Sequence, residues 1–202
     1  MKAPPVEIEA KFAVPRLEPI RRQLQERSAR LLRPRLQETN RRFDDRQGRL
    51  QNDGRVLRLR LNHDTRLTFK SPGADPEHRL EIEVGVDDPA AAQQILEGLG
   101  YQVVFVYEKY RETYALDQAE VMLDELPFGQ FVEIEAADLG AVRRAAEALG
   151  LRWSDRLALS YLGLFESLRQ RHGWPFRDAT FANFAGLPAP AFDDLIQAAG
   201  SR

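Results

Sequence analysis

The sequence predicts an α+β fold: a closed eight-stranded antiparallel β-barrel, or tunnel, with helices flanking it. Three observations carry that expectation. About eight segments alternate apolar and polar residues with the period of a strand. Short turns join most of them in succession, which favours antiparallel pairing. Most of these segments set an apolar face against a charged one, and neighbouring charges on one face tend to share a sign.

The first strand covers Val6–Val14, with Val6, Ile8, Ala10 and Phe12 on one face and Glu7, Glu9 and Lys11 on the other. Pro15 opens a helical pattern in which Leu17, Ile20, Leu24, Leu31 and Leu32 recur near helical spacing. A second extended segment runs from Leu36 to Asp45, and Gln51-Asn-Asp-Gly54 reads as a turn. Val56–Leu61 alternates strictly, His63-Asp64 turns it into Arg66–Lys70, and Arg79–Val84 resumes after the loop Ser71–Pro76. Asp87 or Asp88 can cap a helix from Pro89 to Leu99 that ends at Gly100. Strands follow at Tyr101–Tyr114, Glu120–Glu125 and Gln130–Ala136, with Gly129 turning the last two. Asp138 can cap a helix ending near Gly150, and another is expected from Ser154 to Arg171. Beyond Gly173 prolines and phenylalanines accumulate. Residues 1–171 are therefore expected to form the barrel domain and 172–202 an extension packed on it, with a short helix through Phe192–Ile196.

Composition excludes several classes. The 202 residues are 43% hydrophobic and 30% charged, which suits one domain with a real core. Without cysteine there is no disulfide, thiolate metal site or cysteine nucleophile, and His63, His78 and His172 lack metal-ligand spacing. No apolar run approaches the ~18–20 residues of a membrane span and no signal peptide opens the chain, so a cytoplasmic, non-membrane protein is expected. The net charge of −2 argues against general nucleic-acid binding, although Arg41–Lys70 carries nine Lys or Arg against four Asp.

Those charges segregate by strand. Glu7/Glu9, Glu81/Glu83 and Glu133/Glu135 are acidic same-face pairs; Arg58/Arg60 and Lys109/Arg111 are basic ones. A half-exposed sheet would turn such faces to water. Like charges two residues apart repel, however, and an inward-facing arrangement around a polyphosphate and hard divalent cations would offset them. Arginine adds bidentate recognition of phosphate, so the pattern points to an anionic substrate.

Glu7-Ile-Glu9-Ala-Lys11 resembles the Glu-x-Glu-x-Lys strand of the CYTH superfamily, the triphosphate tunnel metalloenzymes. Leu57-Arg58-Leu-Arg60, Leu67-Thr-Phe-Lys70, Arg79-Leu-Glu81 and Lys109-Tyr-Arg111 resemble its later strands in order. Leu123-Asp124, Gly129 and Val132-Glu133-Ile-Glu135 match its acidic strands, and Ser160-Tyr161-Leu162 its closing helix, over residues 5–168 in all. The resemblance implies an eight-stranded tunnel. Glu7, Glu9, Asp124, Glu133 and Glu135 would bind Mg²⁺ or Mn²⁺, and Lys11, Arg58, Arg60, Lys70, Arg79, Lys109 and Arg111 the phosphates. Lys11, Arg58, Arg60 and Glu81 would then act at the reacting group, Glu81 by positioning water. Two departures stand out: Arg42 replaces a tyrosine of the family's Tyr-Phe-Asp-Thr strand, and Leu159 replaces a lysine before Ser-Tyr, for which Arg156 could substitute from one turn earlier.

The expected activity is hydrolysis of a phosphoanhydride bond in an inorganic, thiamine or nucleoside triphosphate, by a monomer or homodimer. Two alternatives use the same residues: a class IV type adenylate cyclase, and a polyphosphate-binding protein without catalysis. Phosphoryl transfer depends mainly on positioning and charge stabilisation, which suits a chain with no evident nucleophilic triad.

Overall fold

A computed structural model describes residues 6–73 and 79–200, with the backbone alone for residues 6, 7 and 79. Eight strands carry the fold: β1 (Val6–Val14), β2 (Arg30–Asp44), β3 (Val56–Leu61), β4 (Arg66–Pro72), β5 (Arg79–Gly85), β6 (Gln102–Leu116), β7 (Ala119–Leu126) and β8 (Gly129–Ala136). Between and after them lie α1 (Glu18–Glu26), α2 (Arg49–Asn52), α3 (Pro89–Gly98), α4 (Leu139–Ala148), α5 (Tyr161–His172) and α6 (Phe192–Gly200). All pairings between strands are antiparallel, in the order β1-β5-β4-β3-β2-β6-β7-β8 and back to β1. The β1–β8 ladder spans Ile8↔Ala136 to Val14↔Gln130, whereas the β1–β5 seam consists of Val6↔Leu80 and Glu7↔Arg79. Where β5 leaves β1, Arg156 and Leu157 run beside it: Phe12 bridges to Arg156, and the Leu157 amide donates to the Lys11 carbonyl at 2.7 Å.

The strand period places the apolar faces outward. Ile8, Ala10, Phe12, Val121, Leu123, Val132 and Ile134 are buried with Ile20 and Leu24 of α1 and Val142 and Ala146 of α4. A smaller cluster joins Phe43 and Leu59 to Leu96 of α3. The outer face of β5 differs, because Ile82 and Val84 are each 54% exposed. A third cluster lies on the charged side instead: Phe105 and Tyr107, on the face of Lys109, and Phe131, on the face of Glu133, pack against Tyr161, Leu164 and Phe165 of α5. Burial of this kind contributes ~1.5–3 kcal/mol per large side chain.

Several boundaries depart from the sequence expectation. Leu31 and Leu32 belong to β2, because the helix stops at Glu26, Ser28 turns with φ 55° and Arg30 pairs with Ala115. Pro34 is tolerated there because the β2–β6 register shifts between Leu31 and Leu36. The turn before β3 contains a short helix, whose Leu50 and Gln51 amides both donate to the Asp44 carboxylate at 2.9 Å. The helix expected from Ser154 begins only at Tyr161, with Ser160 as its cap, since Arg156 and Leu157 are spent on the β1 edge. Asp88 caps α3, through the Ala90 and Ala91 amides, and Asp138 caps α4.

The segment after α5 packs on the barrel. Ala179 runs parallel beside Tyr107, its amide donating to the Val106 carbonyl at 2.9 Å, and the Glu108 amide donates to the Ala179 carbonyl at 3.0 Å. Gly129 shows how closely α6 approaches: a Cβ there would lie 2.7 Å from a Leu195 methyl. No helix among the described residues is long and apolar enough to cross a membrane.

Candidate active site

The charged strand faces line one cavity of about 660 Å³. Glu9 and Lys11 reach it from β1, Arg58 and Arg60 from β3, Lys70 from β4, Glu81 from β5, Lys109 and Arg111 from β6, and Glu133 and Glu135 from β8. Glu7 and Arg79 face each other across the β1–β5 seam in backbone register, but their side chains lie outside the described residues.

One wall of the cavity is an ion network built around Asp124. This carboxylate is fully buried, and both its oxygens are used: Oδ1 accepts from Arg111 Nε at 2.6 Å, and Oδ2 from Lys109 Nζ at 2.9 Å and the Tyr161 hydroxyl at 2.8 Å. Glu133 pairs with Lys11 at 3.0 Å and also with Arg111, and Lys11 lies 4.1 Å above the Tyr161 ring. Burial alone would push both carboxyls up. Arg111 and Lys109 nevertheless hold Asp124 below its usual range, and Lys11 and Arg111 hold Glu133 well below its own. Burial, reinforced by Asp124 and Glu133, drives the Tyr161 phenol well above its ordinary value, so it stays a donor.

The opposite wall, on β2 and β3, is less satisfied. Arg58 Nη2 donates to Thr68 at 3.3 Å, and Arg60 lies 3.7 Å from Glu83, yet the buried Nε of each lacks a hydrogen-bond partner. Burial lowers the Arg60 pKa despite Glu38 and Glu83 nearby, the mark of a cation short of counter-charge. Lys70 is held by Glu81 across the β4–β5 ladder.

Cross-strand register explains the acidic side. Glu9 faces Glu135 and Glu135 faces Glu120, so three carboxylates share a row across β1, β8 and β7, and all line the cavity. Glu120 was absent from the expected site, although its spacing of four from Asp124 puts both on one face. Arg33, Arg42, Glu83, Tyr107 and Tyr161 also line the cavity, beyond the expected set. Arg156 does not replace the missing lysine, as it stacks over Trp153 with 5.0 Å between guanidinium and ring centre. Asp124 and Glu133, expected as metal ligands, are paired with cations, and no three acidic side chains among the described residues converge as a ready-made metal site. Mg²⁺ is ordinarily held by one or two carboxylates plus substrate phosphates, a requirement that the Glu9–Glu135 pair can meet.

The chain's similarities agree with this architecture. The CYTH domain matches residues 5–143, more than half of the sequence, and the chain belongs to that family. The match ends within α4, so the helix carrying Tyr161 lies beyond it. No curated protein matches the chain. Among solved structures, a candidate adenylate cyclase from Vibrio parahaemolyticus is similar with a TM-score of 0.69 at 24% identity, covering 79% of this chain and 97% of that one. Protein PH1012 of Pyrococcus horikoshii OT3 has a TM-score of 0.67 at 25% identity, with coverages of 77% and 96%. A Hippeastrum protein, described as a candidate adenylyl cyclase with a dominant triphosphatase activity, has a TM-score of 0.59 at 20% identity, with coverages of 80% and 95%.

Proposed function

We propose that this protein is a divalent-metal-dependent hydrolase that cleaves a phosphoanhydride bond of a triphosphate held in the barrel's tunnel. The observation that carries the reading is the arginine wall: Arg58 and Arg60 line the cavity side by side, and among the described residues Arg60 has no carboxylate in contact nearer than Glu83 at 3.7 Å. Such cations favour a multiply charged anion, and guanidinium forks match phosphate oxygens. Lys11, Lys70, Lys109 and Arg111, with Arg79 at the seam, would share the remaining phosphate charge. Glu9 and Glu135, with Glu7 beside them on β1, would hold Mg²⁺ or Mn²⁺. When bound, that ion would neutralise phosphate charge as it develops. Glu81, steadied by Lys70, would orient the attacking water, so no side-chain nucleophile is needed. A protein that only bound polyphosphate would have little use for the Glu9–Glu135–Glu120 row, which supports catalysis over capture.

The test is to offer tripolyphosphate, thiamine triphosphate and nucleoside triphosphates with Mg²⁺ or Mn²⁺ and separate the products. Orthophosphate release is expected. Cyclic AMP and pyrophosphate from ATP would instead establish the cyclase that the same cavity could support. Glu9→Gln is expected to abolish turnover while shifting folding stability by no more than about 0.5 kcal/mol, since shape is kept and the charge needed by a hard cation is lost.

A further inference from the structure

Beneath the arginine wall lies a buried polar patch with no role so far. Asn40, on β2, is fully buried, and neither its side-chain nitrogen nor its oxygen has a hydrogen-bond partner. The register sets it directly opposite Arg60 on β3 and Tyr107 on β6. Arg58 is the next same-face residue along β3, and Glu38 the next along β2. The other buried side-chain atoms lacking a hydrogen bond, among the described residues, belong to these neighbours: Arg58 Nε, Arg60 Nε and Glu38 Oε2. Glu38 Oε2 has only the long approach of Lys109 at 3.8 Å.

Orphaned buried polar atoms are rare and each costs ~1–3 kcal/mol, so five on two adjacent strands call for a common partner. The chemistry of the set selects that partner. It contains three donors, two of them on guanidinium groups, and two acceptors, one on a carboxylate. A metal ion would meet the arginine N–H groups, and an anion would meet Glu38. Water both donates and accepts, and buried water usually makes about three hydrogen bonds to such groups. We propose that Asn40 is a positioning residue that anchors ordered internal water against Arg58 and Arg60 Nε and so aims both guanidinium forks into the cavity. The water would fix the inner edge of each guanidinium and leave the outer nitrogens for substrate. The consequence for turnover rests on the triphosphatase reading above; the arrangement of water, asparagine and arginines does not.

Asn40→Thr and Asn40→Val test this, because they have the same shape and differ by a hydroxyl against a methyl. In substrate-free protein labelled with ¹⁵N-arginine, the Arg58 and Arg60 Nε hydrogens should show cross-relaxation with a long-lived internal water. That signal should persist in Asn40→Thr and vanish in Asn40→Val. Calorimetry with tripolyphosphate and Mg²⁺ should show binding weakened roughly five- to tenfold in Asn40→Val, the worth of one hydrogen bond, and within about twofold of wild type in Asn40→Thr. The melting temperature of Asn40→Val should fall relative to Asn40→Thr, since the arginine Nε groups lose the water that satisfied them. No water signal in the wild type, a measurement needing no variant to fold, or an undiminished one in Asn40→Val, overturns the proposal. So does a lost signal with unchanged tripolyphosphate affinity. If wild-type protein binds no tripolyphosphate while the water signals behave as expected, the triphosphate reading falls and the anchoring of the arginines by Asn40 stands.

Discussion

The two walls of the cavity solve the burial of charge in different ways. On β6, β7, β8 and β1, Lys11, Lys109 and Arg111 are tied to Asp124 and Glu133, so that most of their charge is offset before any substrate arrives. On β2 and β3, Arg58 has Thr68 and Tyr107 beside it and no carboxylate among the described residues in direct contact, and Arg60 has only the longer approach of Glu83 at 3.7 Å. A network of paired charges makes a rigid frame, whereas cations short of counter-charge favour an anionic ligand. The difference teaches that cavity charges of one sign need not share a job equally: Lys11, Lys109 and Arg111 hold the barrel together as well as facing the cavity, whereas Arg58 and Arg60 do little of the former.

The contrast breaks first at Asp124. Replacing it with Asn leaves buried cations without their counter-charge, and a loss of ~3–5 kcal/mol of folding stability is expected in urea unfolding. Acid should expose the same dependence. Because the folded-state pKa of Glu133 lies well below 4.5, its contribution is fully present above about pH 4.5 and is lost as pH falls through that lowered value. Unfolding measured down the acid limb should therefore show stability declining below pH 4.5, and less steeply in Asp124→Asn, where one of the two carboxyls held below its usual range is already gone.

Arg58 should behave in the opposite way. Arg58→Ala is expected to cost ~1.5–3 kcal/mol of triphosphate binding, or roughly ten- to a hundredfold in affinity. Folding stability should change far less than in Asp124→Asn, because Arg58→Ala removes contacts to Thr68 and Tyr107 but leaves no directly paired carboxylate behind. Thermal melting with and without tripolyphosphate reads both quantities; a fall in stability matching that of Asp124→Asn would erase the distinction between the walls. The smallest effect is expected at Tyr161. Tyr161→Phe keeps the ring against Phe131 and Lys11 but removes one of several donors to Asp124, for a loss of ~1 kcal/mol in chemical denaturation.

Much of the barrel was legible because strand period is a local property. Glu9 with Lys11, Arg58 with Arg60 and Glu133 with Glu135 share faces by spacing alone, and those faces do line one cavity. Roles that depend on a distant strand were not legible. Asp124 read as a metal ligand by resemblance, yet Lys109 and Arg111 on the neighbouring strand claim both its oxygens. Glu120 showed its face but not its neighbour, since only the β7–β8 register sets it opposite Glu135. The start of β2 and of α5 escaped for a related reason: pairing with β6 and with the β1 edge overrode local helical spacing.

The strand-like stitch at Ala179 also has a consequence for how the molecule is made. From Val106 to Glu108, β6 pairs with β2 on one side, while its β7 ladder begins only at Tyr110. The vacant edge is taken by Ala179, with the Asp178 carboxylate accepting from the Val106 amide at 2.9 Å and the Phe181 amide donating to Glu108 at 2.8 Å. These contacts join residues 72 and 73 positions apart, so their loop-closure entropy must be overcome late. A ribosome presenting the chain from its amino terminus would hold a barrel with one unfinished edge until residue 181 emerged, and an unfinished edge is a place where a nascent chain can pair with the wrong neighbour. The wall that carries Lys109 is thus among the last parts of the molecule to be sealed.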